Sequence, residues 1–446
     1  MALSERLTRH LPAWLHNRNV QLLLSARVSM SVGRALASVV VPIYLAQLGF
    51  SGLELGVLFT AVALASGGLT ALVGLLADRY GCKPFLILFP LLTGLAAACY
   101  LSTRAVLPIF VFSALGTIGR GSGAGGGNVG PYAPAEQAML AATVEATDRS
   151  SAFGLMTFCS TMGALVGGVL AGLPNLARWL GARGPAAYRP AFLALLALCL
   201  ATALLALPLA DKRPPRARSH GRFVFPRRSL PLLARLTVTN SLNGLAIGAF
   251  APFITLWFYE RYGVTVGEIG VLYAVINLAS AFPNLAAGRL ARRFGLVRTV
   301  TFSRIGSAAL LLVMVAMPAF WLAGAVYLVR MAMQRVSVPL RQSYVMGVAP
   351  EEERASVAGL SNLPAQATSA ASPPLAGYLF DHVGIALPFV IGSAFQLANA
   401  VVYWRFFKNI LPPEERDALR AGARKDDPAR EKAVPEQTSA ARRLHR

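Results

Sequence analysis

The chain has 446 residues, of which 55% are hydrophobic and only 14% charged, and its formal net charge is +22. Its mean hydropathy is +0.55. Soluble domains carry about 25% charged residues, so this composition excludes an ordinary soluble enzyme and points to lipid as the solvent for most of the surface. The basic excess is expected of loops and tails on one side of a membrane rather than of a nucleic-acid binder.

In chain order, residues 1–19 carry Arg6, Arg9, His10, His16 and Arg18 without an apolar stretch, and read as a cytoplasmic leader. Six apolar runs follow, at roughly 20–46, 54–76, 84–103, 106–129, 150–172 and 190–209. Each approaches the roughly 20 residues a membrane helix needs. They form a first bundle over 20–209. Cys82, Cys99, Cys159 and Cys199 show neither metal-ligand nor disulfide spacing, and the last three lie in apolar runs. A basic linker, 210–235, contains Lys212, Arg213, Arg216, Arg218, Arg222, Arg227 and Arg228. Six further runs lie at roughly 236–259, 267–289, 298–317, 320–346, 355–379 and 385–407, giving a second bundle over 236–411. The tail, 412–446, is charged and rich in Pro and Ala, a composition expected to be disordered. Lysine and arginine concentrate in the linker, the tail and alternate loops, which predicts both termini in the cytoplasm and an inner-membrane location.

The chain repeats itself. At an offset of 214, Glu54, Gly56, Val57 and Leu58 fall on Glu268, Gly270, Val271 and Leu272, and Gly74, Leu76, Ala77, Arg79 and Gly81 fall on Gly288, Leu290, Ala291, Arg293 and Gly295. At an offset of 205, Pro134 and Gln137 meet Pro339 and Gln342, and Arg149, Ser151 and Gly154 meet Arg354, Ser356 and Gly359. Shared charged and polar residues at fixed offsets indicate two parallel six-span repeats, with a transport path between them.

Between the second and third spans the chain reads Gly74-Leu-Leu-Ala-Asp78-Arg79-Tyr-Gly81-Cys-Lys83-Pro84. This resembles the loop motif of the major facilitator superfamily. The resemblance implies an all-α membrane protein of twelve transmembrane helices in two pseudo-symmetric six-helix bundles, working as a monomer by alternating access. It also implies a latch in which Asp78 accepts from a neighbouring helix end or pairs with an arginine; Arg79 and Lys83 alone would be anchors on the inner face. The second copy has Arg292 in place of the acid, which confines an acid-based latch to the first half. In the fifth span, Gly154, Gly163 and Gly167 resemble the antiporter motif of drug and metabolite exporters in this superfamily. Gly168 stands where that motif has proline, so the same glycines also fit a plain packing face.

Ionisable residues at membrane depth are candidate sites. Arg27 and Arg34, seven apart on the first span, share a helical face with Ser31 and Ser38. Arg120 lies deep in the fourth span and resembles the superfamily's fourth-span arginine. Arg330 and Arg335 occupy the tenth span, and Asn240 and Asn243 the seventh. Arg304 reads as a structural partner. No Asp or Glu falls near the middle of a predicted span, and Glu136 is assigned to the inner end of the fourth span or to its loop. Guanidinium groups without acids favour an anionic or zwitterionic substrate; Arg27 is also near enough to the inner face to snorkel.

No nucleotide-binding Gly-x-x-x-x-Gly-Lys-Ser/Thr loop occurs, so energy is expected from a gradient of protons, counter-substrate or solute. The five histidines lie in predicted loops and tails, which argues against an enzyme, a metal site or a cofactor. The expected function is secondary transport of a small organic solute. Proton-linked efflux ranks first, from the resemblance; uptake or exchange of an organic anion, bound by the intramembrane arginines, is the alternative.

Overall fold

The computed structural model describes residues 13–103, 105–118, 130–145, 148–210, 229–279, 293–348 and 354–409. Most of the linker, the tail and the second-half loop copy around Arg292 lie outside them. The first repeat comprises α1 (Arg18–Gln47), α2 (Gly52–Tyr80), α3 (Lys83–Ser102), α4 (Val106–Gly116), α5 (Tyr132–Thr143), α6 (Arg149–Leu170), the short α7 (Leu173–Trp179) and α8 (Arg189–Ala206). The second comprises α9 (Leu230–Phe250), α10 (Ile254–Tyr262), α11 (Val266–Ala279), α12 (Leu296–Ala316), α13 (Phe320–Val348), α14 (Arg354–Ala371), α15 (Pro373–His382) and α16 (Leu387–Phe407). Among the described residues, eight helical stretches are long and apolar enough to cross a membrane. The other four spans are interrupted or polar: the fourth is split into α4 and α5, the eighth is described only to Ala279, the tenth carries three arginines, and the eleventh is rich in Ser, Thr, Asn and Gln.

The fourth span differs from the expected 106–129. Its first helix stops at Gly116, Thr117 turns into the left-handed region at φ +52°, and helix resumes at Tyr132. The following segment has buried Tyr132, Ala135, Glu136, Met139 and Leu140 at helical spacing.

The internal repeat is visible in backbone detail. Ser51 and Glu54 form a reciprocal capping box at the start of α2, with Ser51 N donating to Glu54 Oε2 at 2.8 Å and Glu54 N to Ser51 Oγ at 3.2 Å. Thr265 and Glu268 do the same for α11, at 2.8 and 3.3 Å. The glycines at matching positions agree too: Gly81, which closes α2, has φ +87°, and Gly295, which precedes α12, +84°. Packing follows the same plan, with α1 against α6 and α8 as α9 lies against α14 and α16.

Two compact units result: Met1–Arg218 with Ala251–Leu278, and Ser219–Phe250 with Ala279–Arg446. Residues 251–278, expected from sequence in the second bundle, therefore pack inside the first unit. There Gln47 Nε2 donates to Tyr259 Oη at 2.9 Å, and Gly168 of α6 and Gly270 of α11 approach so closely that a Cβ on either would strike the other's carbonyl. Gly163 and Gly167 seat α6 on α1: a Cβ on Gly163 would sit 2.8 Å from the Val28 carbonyl oxygen, and one on Gly167 would overlap that of Val32. Gly154 meets no neighbour within 4 Å.

Candidate functional site

The seven-residue spacing of Arg27 and Arg34 brings both side chains to the broken fourth span. Arg27 Nη1 donates to Glu136 Oε2 of α5 at 2.7 Å, the sole ion pair among the described residues. Arg27 is 5% exposed and Glu136 0%. The second carboxylate oxygen, Oε1, has no protein donor, and the buried hydroxyl of Tyr132, one turn earlier, has no protein partner either. Of the two places expected for Glu136, the inner end of the fourth span or its loop, the structure gives the helix. Glu136 falls inside the second piece of the fourth span because the helix restarts at Tyr132. Nor does Arg27 snorkel: a buried carboxylate holds it.

Arg34, half-buried, donates from Nη1 to the carbonyl oxygen of Thr117 and from Nη2 to its hydroxyl, both at 2.6 Å. A cation on the terminal carbonyl of α4 complements the helix dipole and holds the left-handed turn. On the same stripe, Ser31 Oγ pairs with Ser160 Oγ of α6 at 3.0 Å, whereas Ser38 bonds its own helix at Ala35.

The second unit holds a different arrangement. Arg341 Nη1 donates to Asn240 Oδ1 at 2.7 Å, and Asn240 Nδ2 donates to the Ser361 carbonyl. Arg304 donates to Asn399 Oδ1, Asn399 donates to the Thr239 carbonyl, and the Arg304 guanidinium lies 5.0 Å from the centre of the Tyr403 ring. Arg330, 1% exposed, lies 4.5 Å from the Phe250 ring centre and 5.9 Å from that of Tyr327. Its polar contacts are long: Nη2 to Gln396 Oε1 at 3.5 Å and Nη1 to Met331 Sδ at 3.9 Å. Arg335 and Asn243 are half-buried. Asp381, the one acid among this unit's described residues, is exposed.

Sequence reasoning missed Glu136, Arg341, Gln396 and Asn399. Arg341 had a legible signal, since it follows Arg330 by eleven residues, three helical turns on one face. Of the expected latch, Gly81 ends α2, its N–H bonding the Ala77 carbonyl at 2.9 Å, and half-buried Lys83 opens α3. Gly74, Asp78 and Arg79 lie in α2, but their side chains are outside the described set, as is all of Arg120. Among the described residues, no group of His, Cys, Asp and Glu is arranged to hold a metal ion.

The chain matches the Major Facilitator Superfamily over residues 23–238 and again over 236–443. It belongs to that superfamily. The double match is the sequence counterpart of the paired capping boxes, and identifies the chain as a membrane transporter of twelve helices in two six-helix bundles. Among curated relatives, it is 26% identical over 389 residues to the multidrug resistance protein MdtG of Serratia proteamaculans, covering 81% of this chain and 87% of the relative. Its fold is similar to that of the nucleoside transporter NupG, in the D323A mutant, with a TM-score of 0.72 at 12% identity over 88% of this chain and all of the other. It is also similar to the xylose transporter XylE from E. coli in an inward open conformation, with a TM-score of 0.65 at 13% identity over 86% and 95% of the two chains.

Proposed function

We propose that this superfamily transporter exports a small organic solute across the cytoplasmic membrane in exchange for protons, with Glu136 and Arg27 as the proton-responsive pair. The observation that carries this reading is the buried ion pair itself. A fully buried carboxylate, bound at one oxygen and bare at the other, has two self-consistent states. Deprotonated, it holds Arg27 and joins α1 to α5. Protonated, it loses the charge that holds Arg27, and the link between the two spans weakens. A proton taken up at Glu136 is thereby converted into a change in how the first and fourth spans pack, the kind of two-state element that alternating access requires.

The direction of transport follows from the relationship to MdtG, named for multidrug resistance. Both termini face the cytoplasm in this reading, from the basic linker and tail. The repeats 20–209 and 236–411 move about the linker 210–235, and the protein acts as a monomer. Arg34, Arg120, Asn240, Asn243 and Arg335 contribute to the solute path, and the Gly74–Lys83 loop acts as the latch.

Reconstitution into liposomes tests this. An inward pH gradient across vesicles of known protein orientation should drive solute accumulation in the direction opposite to proton flow. Transport that ignores the gradient, across a panel of anions, zwitterions and cations, would overturn the coupling.

A further inference from the structure

Each bundle places an arginine beside an interrupted span, and the two are satisfied very differently. In the first unit the fourth span breaks at Thr117, and Arg34 spends two nitrogens on the carbonyl and hydroxyl of that residue at 2.6 Å each. In the second repeat α9 ends at Phe250, three residues of turn follow, including Pro252, and α10 begins at Ile254. Phe250 covers the guanidinium of Arg330 at 4.5 Å, but no carbonyl takes its protons. A guanidinium has five N–H donors. Here the Nε–H has no partner, and the remaining contacts are a 3.5 Å approach to Gln396 and a 3.9 Å approach to a thioether. The side chain is 1% exposed.

Among the described residues, no acid is placed against Arg330 to balance its charge. Arg304 and Arg341 add two more cations bonded to neutral amides, and the one acid among this unit's described residues, Asp381 of α15, is exposed. Buried ionic groups without counter-charge are strongly disfavoured in a low-dielectric interior. The matching group is then supplied from outside the chain, and it must be an acceptor carrying negative charge. Arginine binds planar carboxylates and phosphates in a two-pronged geometry, and the Phe250 and Tyr327 rings provide an apolar flank for the rest of such a molecule.

We infer that Arg330, covered by Phe250 at the break in the seventh span, binds a carboxylate or other oxyanion group of the transported solute. This names the substrate class of the exporter proposed above, and rests on that reading for the word transported, but not for binding. Gln396 holds the guanidinium from the α16 side; in turn its Nε2 donates to Ser307 Oγ at 3.3 Å, so the acceptor that steadies Arg330 is itself fixed. The aromatic flank selects an anion with an apolar body over a bare inorganic ion.

The test is thermal protection of the full-length purified protein in detergent, at one pH and with no gradient. The probes are 2-naphthoate, its uncharged analogue 2-naphthamide, carboxyfluorescein and inorganic phosphate. Wild type is expected to be protected by the aromatic carboxylates and not by 2-naphthamide. Arg330→Gln should weaken carboxylate binding by about 30-fold or more, the scale of losing a desolvated charge pair. Arg330→Lys keeps the charge without the planar fork and should lose about tenfold. Should Arg330→Gln fail to fold, Arg330→Lys and Phe250→Leu carry the test, both with weakened carboxylate protection. Equal protection by 2-naphthamide, protection of wild type by none of the anions, or unchanged carboxylate affinity in folded Arg330 variants would overturn the inference. Because no gradient is present, failure here leaves proton coupling standing, and failure of gradient-driven transport leaves the binding site standing.

Discussion

Arg34 holds Thr117 at both its carbonyl and its hydroxyl, and Thr117 is the one non-glycine residue with positive φ among the described residues. A β-branched residue in that region is strained, so the arginine stabilises a turn the sequence does not favour. Arg34→Gln should lower stability by about 1–3 kcal/mol, the cost of leaving a buried acceptor short of a charged donor. Thr117→Gly, which relieves the strain while keeping the carbonyl, should cost less than Arg34→Gln. Melting temperatures of the purified variants decide the order.

The glycines of the fifth span separate into two kinds. Gly167 is pressed on the Val32 carbonyl of α1, whereas Gly154 is exposed and has open space around it. Gly154→Ala should be neutral or add up to about 1 kcal/mol through helix propensity. Gly167→Ala should destabilise by about 1–3 kcal/mol, because the two backbones must separate to admit the methyl group. Yield of monodisperse protein and its melting temperature would show this; equal behaviour would mean that α6 does not pack on α1 at this point.

Asn399 stands between Arg304 and the Thr239 carbonyl and links α12, α16 and α9. Asn399→Leu matches the volume but removes both bonds and leaves a buried cation without its acceptor. The expected loss is about 2–4 kcal/mol. The double variant Arg304→Met with Asn399→Leu should recover much of it, since an apolar pair of similar size requires no counter-charge. A double-mutant cycle on thermal stability reads the coupling.

How far the sequence carried these conclusions depends on distance along the chain. Glu54 with Glu268 and Gly81 with Gly295 were legible as counterparts at the repeat offset, and the structure adds that each glutamate closes a capping box with the residue three before it. Arg27 and Arg34 were legible as one face by their spacing, but not what that face meets. Glu136 lies 109 residues from Arg27, and the stretch around it, with Pro131, Pro134 and Gln137, resembles a loop more than a membrane helix. With the fourth span drawn at 106–129, the sequence left Glu136 between the inner end of that span and its loop, and helix Tyr132–Thr143 was not drawn. The unbalanced state of Arg330 was likewise hidden, because it depends on Gln396, 66 residues away, and on what fails to approach it.

Proton linkage at Glu136 is tested most directly by measuring protons, not flux. Purified protein in weakly buffered detergent solution is mixed with a solute that it transports in vesicles, and the pH change is followed. Exchange of solute for proton requires wild type to release up to about one proton per solute bound. Glu136→Gln, which keeps the side-chain shape and cannot ionise, should bind solute and release none. Release of the same number of protons by wild type and Glu136→Gln would contradict the account.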